Sequence, residues 1–156
     1  MKKIITAICL ILFSLTSITY ANNWHFNGQS KNGNQYYIDL DEMSYDHSSG
    51  YQNTNIVTVH EKTILSPQEI AHYQEITRNK GNYHPGWDHL THIITHYKYD
   101  LSNNTYAISY MVFLNQNDNV IAEYQQNPLR FKPVPINSFD EKTHKLILNN
   151  KEQVQN

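Results

Sequence analysis

The sequence has almost no cysteine: Cys9 is the single one, and it lies in an apolar N-terminal stretch. That stretch begins with two lysines, continues as "IITAICLILFSL" and ends small and polar as "TSITYA", the three regions of a secretory signal peptide. Cleavage after Ala21 would leave a mature chain without cysteine, which excludes disulfides, thiolate catalysis and cysteine-based zinc sites. We therefore predict a signal peptide over residues 1–21 and an exported protein that is stabilised by its core.

The sequence also lacks an unbroken apolar run that could span a membrane. A spanning helix needs about 18 or more apolar residues, and Thr6, Ser14 and Thr16 interrupt the N-terminal stretch. The context of Cys9 does not indicate a lipoprotein, because Ile8 precedes it where a small residue would be needed. We expect the periplasm, the outer-membrane surface or the medium as the location, with no membrane span.

Basic charge is sparse. Removal of the signal takes away Lys2 and Lys3 and leaves ten basic residues against fourteen acidic ones, so the formal net charge changes from −2 to −4. No run of four lysine or arginine residues occurs. Nucleic acid and acidic membrane surfaces both favour a basic patch, so neither is expected as the main partner.

Catalytic motifs are missing as well. His60 and Glu61 are not followed by the second histidine of a metalloprotease helix. The sequence has no Gly-x-Ser-x-Gly elbow, no Ser-x-x-Lys and no glycine-rich phosphate loop. Asp39 and Asp41 fall on one face of a predicted strand beside a turn, where we interpret them as solvated. We predict no enzymatic activity, no catalytic residue and no cofactor.

Alternating apolar residues predict six strands. They lie in the segments 22–30, 35–41, 55–62, 89–100, 105–115 and 119–126, and the polar segment 43–54 is predicted to be a loop. In the third strand, Val57, Val59 and Glu61 share a face. The fifth segment is apolar on both faces, which is typical of a strand inside a covered sheet.

Two helices are also predicted. The first has Ser66 as N-cap, Glu69 completing a capping box and Gly81 as its end. The second follows a proline-rich crossing and is capped by Asn137 or Ser138. Its apolar stripe consists of Phe139, Thr143, Leu146 and Ile147.

The predicted fold is therefore α+β. It has a six-stranded antiparallel sheet, one helix between strands 3 and 4, and a C-terminal helix packed on the sheet. Residues 22–150 form a single domain, and residues 151–156 are expected to be a frayed tail.

Three blocks of the sequence resemble the bacterial surface-adhesin protein E family. They are "WHFNGQS" with "GNQYYIDLD" between Trp24 and Asp41, the hairpin "YKYDLSNNTYAISYMVFLNQNDNVIAEY", and the exit "PVPINSFDEKTHKLI". The resemblance implies an exported Gram-negative protein that binds host extracellular-matrix or serum proteins, and it leaves a homodimer open. No binding residue carries over from it.

Two departures from the family pattern affect the fold. The resemblance implies a cysteine after Asp100 and another in the terminal helix, which would tie that helix to the sheet. This sequence has Leu101 at the first position and no cysteine in the helix. The glycine expected before "VI" is replaced by Asn119, which can also adopt positive φ. We expect apolar burial alone to hold the C-terminal helix.

Histidines concentrate in "NYHPGWDHLTHIITHYKYD", residues 82–100. His92 and His96 would suit one zinc ion on a helix, but β-branched and aromatic neighbours favour a strand, which separates them by about 13 Å. A loop site of His84, Asp88 and His89 remains as an alternative function, in which a periplasmic protein binds metal or haem.

Aromatic residues favour a recognition surface. Twelve tyrosines occur in the chain, eleven of them after the signal, and tyrosine and tryptophan are enriched at binding sites. The loop "YHPGW" offers Tyr83 and Trp87 as candidate partner-binding residues. The alternative is that Trp87 covers the core.

Overall fold

The computed structural model describes residues 23–46 and 53–155. The predicted signal peptide and the middle of the predicted loop 43–54 lie outside the described residues. The strands are β1 (Trp24–Gln29), β2 (Gln35–Asp46), β3 (Asn53–Ile64), β4 (Leu90–Asp100), β5 (Thr105–Asn115), β6 (Val120–Gln125) and β7 (Lys132–Pro133). The helices are α1 (Pro67–Asn79) and α2 (Phe139–Asn149), with 3₁₀ turns at Pro85–His89 and Lys151–Gln153. None of the helices in these two ranges is long and apolar enough to cross a membrane.

The strands form one antiparallel sheet in the order β1-β2-β3-β4-β5-β6, and β7 pairs with β5. This is the predicted α+β architecture, with a short seventh strand that the proline-rich sequence did not indicate. Residues 43–46, predicted as loop, continue β2 instead. The reason is that Met43 is completely buried and Ser44 and Tyr45 pair with Thr58 and Val57.

Both helices pack on the same face of the sheet. Tyr36, Thr63, Ile93 and Phe113 are successive cross-strand partners and form one row across β2 to β5. Directly opposed residues point to the same face. The Phe139 ring of α2 stacks on Tyr36 at 4.3 Å, at one end of this row. A tyrosine of α1, Tyr73, contacts the Phe113 ring at the other end.

The first helix begins where the sequence predicts. The Ser66 hydroxyl accepts a hydrogen bond from the Glu69 N–H at 3.2 Å, and Pro67 occupies the first turn. Lys80 is the C-cap and Gly81 follows it at φ +70°. The predicted Ser66 cap is therefore confirmed, and it fixes where α1 crosses the sheet.

Burial of apolar side chains holds the C-terminal helix, and the capping residue is Ser138, whose hydroxyl accepts from the Glu141 N–H at 3.0 Å. Ile147 and Thr143 are completely buried. Gly28 in β1 has φ +143°, and a Cβ atom there would lie 2.7 Å from the Phe139 ring. This glycine allows α2 to approach the sheet closely.

The predicted frayed tail is wrong for residues 151–155. Val154 is 7% exposed and belongs to the core beneath α2. Gln155 donates its backbone N–H to the Met43 carbonyl at 2.8 Å and accepts from the Tyr45 N–H at 3.1 Å. The tail is fixed because it adds a parallel bridge to Ser44, at the end of β2.

Two local expectations also change. Asp39 was interpreted as solvated, but it is 1% exposed and accepts hydrogen bonds from the N–H groups of Asp41 and Glu42. In the β5–β6 turn, Asp118 rather than Asn119 has positive φ, at 58°. Asp39 lies where the pairing of β2 with β3 shifts register, between Asp39 and Ser44, and Asp118 lies in the turn between two strands.

Candidate binding site

An apolar groove lies between α1 and the outer strands β5 and β6. Its volume is about 490 Å³. Its aromatic and apolar lining includes Tyr73, Ile76, Trp87, Met111, Phe113 and Tyr124. The Trp87 and Tyr73 rings contact the Phe113 ring at centroid distances of 5.2 and 5.3 Å. A groove of this size and lining suits an apolar side chain of a ligand.

Strand β6 forms one wall of the groove and carries exposed apolar surface. Val120 is 56% exposed and Tyr124 is 51% exposed. Within residues 23–46 and 53–155, no strand pairs with the outer edge of β6. An exposed edge of this kind presents backbone N–H and C=O groups to a partner chain.

The loop before β4 is fixed by contacts of its two aromatic side chains and is not an exposed aromatic loop. Trp87 is 5% exposed and packs under the groove, so the alternative that it covers the core is the one observed. Tyr83 is half-buried, donates its hydroxyl to Asp88 and lies under the Arg78 guanidinium at 4.2 Å. These contacts hold the loop as a 3₁₀ turn rather than as a free recognition loop.

The three candidate metal ligands of this loop have separate contacts. His84 accepts the Gly86 N–H at its Nδ1, at 3.2 Å. Asp88 accepts from Tyr83 and lies 3.9 Å from Arg78. His89 is exposed and lines, together with Asp88, a cavity that is distinct from the groove. Across the described parts of the chain, no three histidine, cysteine, aspartate or glutamate side chains are grouped to hold a metal ion.

His92 and His96 lie on β4 and have different partners. Buried His92 contacts Asp118 at 3.0 Å, whereas the His96 ring lies 4.0 Å from the His60 ring of β3. Burial lowers the pKa of His92. Burial, together with the charge of His60, lowers the pKa of His96 to about 4, although Glu42 opposes this effect.

A second, smaller cavity lies between α1 and the middle of the sheet, with a volume of about 160 Å³. Glu61 lines it, is 4% exposed, and accepts a hydrogen bond from the Thr63 hydroxyl at 3.4 Å. Burial is the main cause that raises the pKa of Glu61 to about 8, and the charge of Asp140 is the second. Burial also raises the pKa of Asp140.

The position of Glu61 in its strand indicates a buried carboxylate, although Glu61 belongs to no catalytic motif. Glu61 alternates in phase with Val57 and Val59, which are both completely buried. A charged residue on the apolar face of a strand is unusual, because the burial of a charge costs free energy unless it is paired. Such a residue is a candidate functional group.

Comparison with solved structures finds a neighbour in fold. No protein-family profile matches the chain, and no curated protein matches it. Among solved structures, the structure of Haemophilus influenzae protein E matches with a TM-score of 0.48 and 13% sequence identity. The match covers 85% of this chain and 89% of that chain. The neighbour bears the name of the family that the sequence resembles.

Proposed function

We propose that this chain is an exported, non-enzymatic binding protein that contacts a host extracellular-matrix or serum protein. The observation that supports the proposal is the apolar groove beside the outer edge of β6. An extended segment of the partner pairs with this edge, and one of its apolar side chains enters the groove.

The arrangement of β6 favours a polypeptide as the ligand. A chain added to a sheet edge gains main-chain hydrogen bonds, and pockets for its alternate side chains provide specificity. Ala122 and Tyr124 of β6 both line the groove. Residues two apart on a strand point to the same face, so a partner strand beside β6 would place alternate side chains over the groove.

The source of the partner is proposed from the sequence. The predicted signal peptide directs the chain out of the cytoplasm, and the three family-like sequence blocks imply contact with host matrix or serum proteins. Lys80 and Glu123 at the groove are charged residues of opposite sign. The groove therefore does not favour a partner segment of one particular charge.

Binding is tested with the exported protein and a panel of purified extracellular-matrix and serum glycoproteins by surface plasmon resonance. Tyr124→Ser removes exposed contact area, and Ala122→Arg fills the groove. We expect saturable binding to at least one protein of the panel, weakened about tenfold or more by each variant. Phe131→Ser is the matched control, because Phe131 is 40% exposed and does not line the groove.

Three results would overturn the proposal. They are no saturable binding to any protein of the panel, equal binding by all variants, and a chain that protease cannot reach on intact cells because it stays in the periplasm. Self-association that Tyr124→Ser abolishes would instead assign the edge of β6 to a homodimer. Saturable binding of Zn²⁺ or haemin that His84→Ala with His89→Ala abolishes would support the metal or haem alternative.

A further inference from the structure

We propose that the cavity containing Glu61 binds an ammonium group, as carried by a primary amine or by the end of a lysine side chain. This site differs from the groove beside β6, although Tyr73 and Met111 line both. The proposal does not depend on the proposed host partner.

The cavity combines a buried carboxylate with aromatic walls. Besides Glu61, its lining includes Tyr36 of β2, Tyr73 of α1 and Tyr97 of β4. Thr63 and Thr95 add hydroxyl groups, which can accept hydrogen bonds. Aromatic side chains beside a carboxylate attract cations, because the negative ring faces and the carboxylate charge act together.

The ionised form of Glu61 has no compensating positive charge beside it. In the described residues, no lysine, arginine or histidine lies within ion-pair distance of Glu61. Glu69 of α1 lines the same cavity. Asp140 of α2, whose charge also acts on Glu61, is half-buried and accepts a hydrogen bond from Tyr106. Glu61 itself has the Thr63 hydroxyl at 3.4 Å. A buried carboxylate with so little compensation is costly, and a bound cation would relieve that cost.

The shape and the donor set favour ammonium over other cations. A divalent metal would need several oxygen or nitrogen ligands, and the described residues contain no such group of three acidic or histidine side chains. Guanidinium presents five donors in a planar fork that matches a fully accessible carboxylate. Ammonium is compact and has three donors, which suit Glu61 and the two threonine hydroxyls. The volume of about 160 Å³ leaves room for a short alkyl chain behind it.

The test is a calorimetric titration of the folded protein in phosphate buffer at pH 8. The probes are n-butylamine, Nα-acetyl-lysine amide and the neutral analogue N-butylacetamide. We expect one-to-one binding of n-butylamine and none of the neutral analogue. Binding of the lysine derivative as well would indicate a lysine side chain of a protein, whereas binding of n-butylamine alone would indicate a small free amine.

Glu61→Gln keeps the shape of the side chain and removes its charge. We expect this variant to bind n-butylamine at least about tenfold more weakly than the wild type, which corresponds to one ion pair of moderate strength. Glu75→Gln on the exposed side of α1 is the control for net charge, and its affinity should stay within about twofold of the wild type.

Equal affinity of Glu61→Gln and the wild type would overturn the proposal, and so would the absence of saturable binding while circular dichroism shows a folded chain. Glu61 would then be a buried neutral carboxyl group of the core. Tyr97→Phe is a second variant that keeps the ring. We expect its affinity for n-butylamine to remain close to that of the wild type, because the ring face and not the hydroxyl group binds the cation.

Discussion

His60 and His96 face each other across β3 and β4, with their ring centroids 4.0 Å apart. A carboxylate oxygen of Glu42 lies 2.8 Å from Nδ1 of His60. The close contact makes protonation of the second ring unfavourable. The pKa of His96 is lowered from 6.5 to about 4, first by burial and then by the charge of His60.

This lowered pKa predicts acid sensitivity. Between pH of about 6.5 and 4, the unfolded chain binds a proton at His96 that the folded chain does not, so stability falls as pH falls through this window. The free energy of unfolding in urea is measured at pH 7 and at pH 4.5. We expect its decrease between these two pH values to be about 2 kcal/mol smaller for His96→Gln than for the wild type. His25→Gln, at an exposed position, should lose as much as the wild type. Equal losses for both variants would contradict the lowered pKa.

The buried carboxyl group of Glu61 gives the opposite dependence on pH. Its pKa is raised from 4.5 to about 8, so the folded chain retains a proton that the unfolded chain releases, and stability falls as pH rises between these values. The free energy of unfolding is measured for Glu61→Gln and for the wild type in amine-free phosphate buffer. The difference between the two should shift in favour of Glu61→Gln by about 4 kcal/mol from pH 4 to pH 8. A difference that does not change with pH would show that Glu61 titrates normally.

Burial of Ile147 is expected to hold α2 on the sheet, since the helix has no disulfide. Ile147 is completely buried, whereas its neighbour Leu148 is 43% exposed. Ile147→Ala should lower the free energy of unfolding by about 2 to 5 kcal/mol, the usual cost of a large cavity in a core. Leu148→Ala should cost less than about 1 kcal/mol in the same urea titration. Similar costs at the two positions would mean that α2 contributes little to stability.

The C-terminal residues are expected to add stability rather than fray. Val154→Ala should lower the free energy of unfolding by about 2 kcal/mol, because Val154 is buried beneath α2. Lys151→Ala, at an exposed position, is the control and should be close to neutral. Hydrogen exchange gives an independent measurement: the N–H of Gln155, bonded to Met43, should exchange slowly. Fast exchange of this N–H would show that the tail frays, as the sequence predicts.

Much of the fold follows from local sequence patterns. The cap at Ser66, the cap at Ser138 and the alternation of Val57, Val59 and Glu61 depend on residues close together in the chain, so they are readable without a structure. For the same reason, the strand character around His92 and His96 indicates that these two side chains do not chelate together. Their partners, Asp118 and His60, lie in other strands or turns and could not be predicted. The second half of the predicted capping box does not form, because the Ser66 N–H donates to Asn34 Oδ1 at 2.8 Å and not to Glu69.

The sequence by itself determined that no cysteine follows Cys9, the α+β class and the positions of both helices, because these depend on composition and local periodicity. The signal peptide stays a prediction. Only the tertiary structure decided that Trp87 is buried, that Val154 belongs to the core, and that α1 and α2 share one face of the sheet. It also enclosed Glu61 among tyrosines from β2, β4 and α1. The physical reason is that burial and charge compensation depend on pairs of residues far apart in sequence, whose contacts are set by strand register and helix packing.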